Sequence, residues 1–243
     1  MKKTNKSEEL WCHADVRITD RTLSKYLEVT RIAGVLTIEC SEYVVLPKLR
    51  YTKGLVIVTG SNVSLPNCDE VAGDIIAQNL TVLNIGGKGE GAKNVVLSEA
   101  ARLTMPHCEA IDSLWMKLGS TATLSALKCI YDVLKMEDAK LTLDVCEHIG
   151  GNVEANDSAI DLPVCLEVTR NAVANGTSVI DMPQCRKVGG RVYADPEARI
   201  NLSPASQQSI NKAAFSEGNI RFDATIDYKA LSALCNVDNI GIF

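Results

Sequence analysis

Apolar and polar residues alternate in short stretches along the chain, and a small polar break separates one stretch from the next. The clearest unit runs from Cys146 to Pro163 and is broken at Asn156-Asp157-Ser158. Strict alternation places every second side chain on one face of a β-strand. The stretches are too short and too rich in Val and Ile for amphipathic helices. The pattern therefore predicts strands.

This unit returns about every twenty residues, and a fixed period of that size indicates a solenoid whose units stack on their neighbours. Cysteines at positions 108, 129, 146, 165 and 185 mark it, with spacings of 21, 17, 19 and 20 residues. The segments that share this ending are Leu65 to Cys68, Met105 to Cys108, Ala126 to Cys129, Leu143 to Cys146, Leu162 to Cys165 and Met182 to Cys185. We predict a mainly β protein, a parallel β-solenoid of about nine turns.

The domain organisation follows from where the pattern begins and ends. Residues 1–26 are predicted to form a disordered start and an N-terminal cap, and residues 27–204 the solenoid. Residues 205–243 are predicted to form a C-terminal helical cap. Short helices are expected at Arg21 to Leu27, at Pro204 to Glu217 and after Asp227, because the open edges of a solenoid need covering.

Two phrases in the repeat carry a resemblance to known families. Val188-x-Gly190-x-Val192 and Ile160-x-Leu162-Pro163-x-Cys165 resemble bacterial leucine-rich-repeat-like solenoids and, more closely, the L-domain of receptor ectodomains. The likeness covers about three quarters of the chain and implies a right-handed β-helix that binds other proteins. The plain leucine-rich signature with its fixed asparagine is missing, which disfavours a horseshoe with a helix in each repeat.

Composition narrows the classes of partner. A net charge of −5 leaves no basic footprint for nucleic acid, and aromatic residues make up only 5% of the chain. No segment is long and apolar enough to span a membrane. Most of the nine cysteines recur at one repeat position, so we expect reduced, buried thiols in a cytoplasmic protein.

An outward apolar surface is the main candidate site. Counting alternate residues along the first strand of each repeat predicts that Leu55, Ile57, Ile76 and Trp115 project outward, with Tyr193 further along. An aromatic anchor among aliphatic side chains is typical of a protein interface. The alternative is a slip of one residue, which would turn these side chains into the core.

Two other features have simpler interpretations. The second strand carries an outward polar ladder, which most simply solvates the sheet but offers adjacent carboxylates at Asp161 and Asp181 for a weak cation. The glycine-rich segment Gly86 to Gly91 lacks the spacing of a phosphate-binding loop and is predicted to be a flexible loop. The ladder comprises Ser64, Thr104, Ser125, Thr142, Asp161, Asp181 and Asn201.

The sequence therefore predicts a non-enzymatic protein-binding module with no cofactor and no metal. By fold analogy it suits a bacterial or phage protein that masks or inhibits a host protein. Two alternatives stay open. One is a structural protein that self-associates as a homo-oligomer, and the other is a carbohydrate-binding or carbohydrate-active β-helix, which would place paired carboxylates beside exposed aromatic rings.

Overall fold

A computed structural model of the chain describes residues 10–41, 43–208 and 220–222. These residues form short strands separated by tight turns, with two short 3-10 helices, Leu23–Lys25 and Pro204–Gln208. The strands are β1 (Trp11–Cys12), β2 (Val16–Thr19), β3 (Arg31–Glu39), β4 (Val44–Val45), β5 (Tyr51–Ile57), β6 (Asn62–Leu65), β7 (Glu70–Val71), β8 (Ile75–Ala77), β9 (Val82–Ile85), β10 (Asn94–Leu97), β11 (Arg102–Thr104), β12 (Ala110–Ile111), β13 (Ser113–Lys117), β14 (Thr121–Thr123), β15 (Cys129–Ile130), β16 (Leu134–Glu137), β17 (Lys140–Thr142), β18 (His148–Ile149), β19 (Val153–Asn156), β20 (Ala159–Asp161), β21 (Glu167–Val168), β22 (Ala172–Asn175), β23 (Val179–Met182), β24 (Lys187–Val188), β25 (Val192–Ala194), β26 (Arg199–Leu202) and β27 (Ile220–Phe222).

Each turn pairs in parallel with the turns before and after it, which makes a parallel β-solenoid of about ten turns. A twelve-stranded sheet forms one long side and contains β1, β2, β3, β5, β7, β8, β10, β13, β16, β19, β22 and β25. Three five-stranded sheets form the rest, made of β4, β6, β9, β11 and β14, of β12, β15, β18, β21 and β24, and of β17, β20, β23, β26 and β27. The predicted fold class is confirmed.

One continuous core runs through the stack from Val16 to Leu202. Strand β19 shows how the alternation builds it, because Val153 and Ala155 are buried while Glu154 between them stays partly exposed. Every turn adds a similar layer of aliphatic side chains, so the core lengthens with each repeat.

The cysteines form a buried column, as predicted, but Cys129 does not belong to it. Cys129 lies on β15, where it pairs with Ala110 and His148, and it is partly exposed. Leu127 fills the column in that turn, since its backbone NH donates to the carbonyl of Leu124 just as Cys146 donates to Leu143. The spacing from position 108 to 127 to 146 is then 19 and 19 residues, which removes the irregularity in the sequence pattern.

The ends of the stack differ from the prediction. Strands β1 and β2 already pair in parallel with β3, so the first turn precedes Leu27. The predicted N-terminal helix is a single 3-10 turn, from which Leu23 and Tyr26 pack against the core while Leu27 is 38% exposed.

At the other end, the predicted helix from Pro204 to Glu217 begins as the 3-10 helix Pro204–Gln208, and its remainder lies outside the described residues. Strand β27 follows within the region predicted to be a helical cap and pairs with β26. The helix predicted after Asp227 also lies outside the described residues.

Candidate protein-binding surface

One outward-facing column of side chains runs the full length of the twelve-stranded sheet. Strand register places one residue of each turn directly above the next, between the two buried positions of its strand. We call this the outward column, and it comprises Arg17, Thr37, Val56, Ile76, Val96, Trp115, Lys135, Glu154, Val173 and Tyr193.

Four consecutive members of this column are apolar, and we call them the apolar patch. Val56 pairs with Ile76, Ile76 with Val96 and Val96 with Trp115, so no polar residue interrupts the row. The three aliphatic side chains are half-buried, and Trp115 is 41% exposed. An indole exposed at the end of an aliphatic row is the composition found at the centre of protein interfaces.

A charged group adjoins the patch in the next two turns. Lys135 follows Trp115 in the column, and its Nζ lies 3.5 Å from Oε1 of Glu137 and 3.9 Å from Oε2 of Glu154. Lys117 Nζ lies 3.0 Å from Oε2 of the same Glu137. The hydrogen bond from Lys117 is the largest cause that lowers the pKa of the Glu137 carboxyl. The apolar row is therefore followed along the column by ion-paired side chains. Polar and charged residues of this kind form the rim of protein interfaces.

Two of the predicted site residues face the other way. Leu55 and Ile57 are fully buried in the core, so the prediction that they project outward is wrong. Val56, the residue between them, is the one that faces outward. The outward orientation of Ile76 and Trp115 is confirmed, and Val96, which the sequence pattern missed, joins them between β8 and β13.

The error arises from the position of a glycine. On the next turn, Gly73 lies two residues before the buried Ile75, but Gly54 lies only one residue before the buried Leu55. The backbone NH of Leu55 donates to the carbonyl of Asp74, which puts Gly54 at the corner position of Asp74 instead of Gly73. Counting from the glycine therefore shifts the whole strand by one residue and reverses its faces.

Tyr193 faces outward as predicted, but it is separated from the apolar patch by the charged turns. Its hydroxyl donates to Oδ1 of Asp195 at 2.6 Å, and the Arg191 guanidinium lies 4.5 Å from the ring centroid. The hydroxyl hydrogen bond also lowers the pKa of the Asp195 carboxyl. Tyr193 therefore belongs to a local polar cluster and not to the apolar patch.

The glycine-rich segment is held in the stack and does not leave it as the predicted flexible loop. Gly89 donates to the carbonyl of Cys68 at 3.4 Å, and Glu90 donates to the carbonyl of Asp69 at 2.9 Å. A Cβ on Gly87 would lie 2.3 Å from the carbonyl oxygen of Cys68, so glycine is required for this close approach. The segment forms one corner of a regular turn.

The outward polar ladder exists on the neighbouring side with two changes in membership. Asn84 also belongs to the ladder. Thr123 takes the place predicted for Ser125, because Ser125 lies in the tight loop that follows strand β14. Asp161 and Asp181 do lie on adjacent strands, and Asn201 Nδ2 donates to Oδ1 of Asp181 at 3.1 Å. Among the described residues, no group of three His, Cys, Asp or Glu side chains is arranged to hold a metal ion.

A further aromatic cluster lies at the N-terminal end of the stack. Arg31 pairs with Trp11 and with Tyr51, and its guanidinium lies 4.7 Å and 4.4 Å from the two ring centroids. Glu70 pairs with Tyr51 and bridges to Glu90 on the next turn. Glu70 thus lies one strand from Tyr51, but Arg31 covers one face of the Tyr51 ring and one face of the Trp11 ring, where a sugar would otherwise stack.

Comparison of the chain with protein-family models, with curated proteins and with solved structures finds no match. In the part of the chain that the structure describes, no helix has the length and apolar character needed to cross a membrane.

Proposed function

We propose that this protein is a non-enzymatic protein-binding module and that the apolar patch is its binding surface. The observation that carries the proposal is the unbroken outward row from Val56 to Trp115 on a sheet whose other turns present mainly polar or charged side chains. A row of this kind gains free energy when a partner removes it from water, at roughly 25 cal/mol per Å² of apolar surface.

The scaffold suits this role because the backbone hydrogen-bonding groups of the patch strands are already paired within the sheet. The patch strands β5, β8, β10 and β13 are each paired on both sides, so a partner contacts side chains and adds no strand there. The residues on either side of Ile76 and Val96 are buried in the continuous core, which anchors the backbone of both patch strands. Little side-chain entropy is lost when a partner binds a surface that is ordered beforehand.

The test is site-specific photo-crosslinking in cells of the source organism. A benzophenone side chain replaces Val96 in one protein and Thr142, on a different side of the solenoid, in a matched control. We expect one defined adduct with another protein from position 96 and none from position 142. A second substitution, Ile76→Asp, is expected to abolish the adduct, while circular dichroism shows that the fold is retained.

Two outcomes contradict the proposal. Adducts of equal yield from both positions would show that the patch has no preference for a partner. No adduct with another protein from position 96 would remove the patch as a binding surface. Adducts with a second copy of the chain would instead favour the alternative of a self-assembling structural protein, which light scattering on the purified protein would then measure as a homo-oligomer.

A further inference from the structure

Two exposed leucines at one corner of the solenoid adopt backbone conformations that leucine normally avoids. Leu80 has φ of 60° and is 70% exposed, and Leu118 has φ of 51° and is 57% exposed. A left-handed backbone brings the Cβ of a bulky residue close to its own carbonyl oxygen, and water contact with the side chain adds a second cost. Both costs are present at the same corner.

Most other turns fill the same positions with Gly or Asp, which adopt this conformation more readily, although Ala100 and Glu99 also have positive φ. Strand register aligns Leu80 with Gly60, Ala100 and Gly119, because Asn62, Val82, Arg102 and Thr121 pair two residues further on. It aligns Leu118 with Asp138, Asp157 and Gly176 in the same way. The fold therefore does not require leucine at either place. Bulky residues held in strained conformations concentrate at functional sites.

The corner leucines, Leu80 and Leu118, lie one row of outward side chains away from the apolar patch. Leu118 follows Trp115 by three residues, and Leu80 follows Ile76 by four, so both lie in turns that also contribute to the patch. Val82, which begins the adjoining strand β9, is 40% exposed. Between the apolar patch and the corner leucines, the same turns present the half-buried polar side chains of Gln78, Ser98 and Lys117, so a partner that contacts both apolar features also covers this polar row.

We propose that the apolar patch and the corner leucines together bind one amphipathic α-helix of a partner protein, aligned with the solenoid axis. This inference rests on the proposed function. Successive turns of a β-solenoid are about 4.8 Å apart, and successive turns of an α-helix are about 5.4 Å apart. Over the four turns of the patch the two spacings drift apart by less than about 2 Å. An apolar stripe at every third or fourth helical residue therefore meets each turn.

The size of the surface favours a single helix over a second copy of the chain. Four turns span about 14 Å, and the outward residues of one strand span about 10 Å, so the flat part covers on the order of 150 Å². A stable complex between globular proteins buries about 800 Å² on each partner. A helix that also contacts the corner leucines matches the smaller, elongated area.

The charges beside the corner indicate what the polar edge of the helix carries. Glu99 and Arg102 are both exposed in the turn between the corner leucines, and neither forms an ion pair with another described residue. A helix lying along this corner would place a basic residue near Glu99 and an acidic one near Arg102. Such pairs would set the direction of the helix more than its affinity.

The experiment selects helices from a displayed library of 18-residue peptides with a fixed apolar stripe and random polar positions. Selection uses the whole protein, with counter-selection against the Val96→Asp variant. Binding of each selected peptide is then measured by fluorescence anisotropy on wild type and on the double variant Leu80→Gly/Leu118→Gly. We expect binding to weaken at least about tenfold in the double variant, while the peptide gains helicity on wild type.

Ala100→Gly is the matched control, because Ala100 has φ of 58° at the same corner but no large side chain. We expect this variant to bind as wild type does. If the double glycine variant also binds as wild type, the corner is not part of the site and the inference fails while the apolar patch stands. If no helix is selected, or if Val96→Asp does not reduce binding, the helical partner is overturned, and the crosslinking experiment separately decides the proposed function. Dimeric protein in sedimentation at the same concentrations would also contradict it.

Discussion

Val96 on β10 lies directly opposite Trp115 on β13, and both side chains face outward from the same sheet. Their flanking residues on each strand, including Leu97 and Met116, are fully buried in the core. The pair therefore extends from the core layer of the solenoid without contributing to it. A change at either residue affects the surface of the protein and leaves its core packing intact.

The first prediction compares adjacent residues on β5, Leu55→Asp and Val56→Asp. Leu55 is fully buried, so its replacement by a carboxylate removes apolar contacts and buries a charge without a partner, which we expect to cost more than about 4 kcal/mol. Val56 is half-buried and faces outward, so its replacement is expected to cost about 1 kcal/mol or less. Urea unfolding followed by circular dichroism measures the free energy of unfolding of both variants. We also expect the Val56 variant to keep its fold but to lose binding of a partner to the apolar patch. Equal loss of stability would contradict the register of β5.

The sequence predicted the architecture because the core requirement repeats in every turn. Each turn must bury every second side chain of its strands against the neighbouring turns. The period and the strands can therefore be predicted even though no single repeat is regular. The sequence did not determine which side chains of β5 face the core, because this depends on which residue occupies the corner before the strand. Nothing local to Gly54 distinguishes it from Gly73, and only the pairing of Leu55 with Ile75 fixes which residue is buried.

The misplaced cysteine illustrates the same limit. Cys129 matched the expected residue type two positions away from the true column, and Leu127 occupies the column as a fully buried apolar residue. The left-handed corner could not be read from the sequence either, since a leucine gives no signal for positive φ. Both features depend on contacts between turns, and these are about 20 residues apart in the sequence.

The second prediction concerns stability at the corner. Leu118→Gly relieves a left-handed leucine and is expected to raise the free energy of unfolding by about 1 kcal/mol. A Cβ at the neighbouring Gly119 meets no atom within 4 Å, so the corner is open and no packing contact should be lost there. Thermal unfolding of the variant beside Ala100→Gly checks this, because both relieve the same strain. A lower melting temperature for Leu118→Gly alone would show that the leucine packs against the fold and stabilises it.

The third prediction concerns the thiol column at high pH. Burial raises the pKa of Cys68 to about 12, that of Cys108 to about 11 and that of Cys146 to about 12. A thiol in the unfolded chain ionises near the ordinary cysteine pKa of 9.0, while the buried thiol stays protonated. The unfolded state therefore binds fewer protons above pH 9, and the free energy of unfolding falls as the pH rises from 9 toward the folded pKa.

The Cys146→Ala variant isolates one thiol from the lysines and tyrosines that titrate in the same range. We expect its free energy of unfolding to fall less steeply between about pH 9 and pH 11 than that of wild type, by up to about 1.4 kcal/mol per pH unit. Chemical unfolding at closely spaced pH values gives this slope. Identical slopes for the two proteins would mean that Cys146 is not protected in the folded state.

The last prediction concerns Asp161 and Asp181, which pair on adjacent strands of the polar ladder. Partial burial, then the charge of Asp181 and then that of Asp144 raise the pKa of the Asp161 carboxyl. Because the folded state holds this proton more tightly than the unfolded state, the free energy of unfolding falls as the pH rises from the ordinary Asp pKa of 3.8 through the folded pKa, and it stays lower above that. Replacement by asparagine removes the repulsion and supplies a donor to Asp181, as Asn201 already does.

We therefore expect Asp161→Asn to raise the free energy of unfolding at about pH 7 by a few tenths to about 1 kcal/mol. The gain should shrink near about pH 3, where the raised pKa of Asp161 leaves its carboxyl largely protonated in the folded chain and the charge repulsion is lost. Thr104→Asn, elsewhere in the polar ladder, pairs with Asn84 and Thr123 and has no carboxylate at either paired position, so it should give a difference from wild type that does not depend on pH. Thermal melts at roughly pH 3, 5 and 7 distinguish these expectations, and a gain for Asp161→Asn that persists at the lowest pH would assign the effect to packing and not to charge.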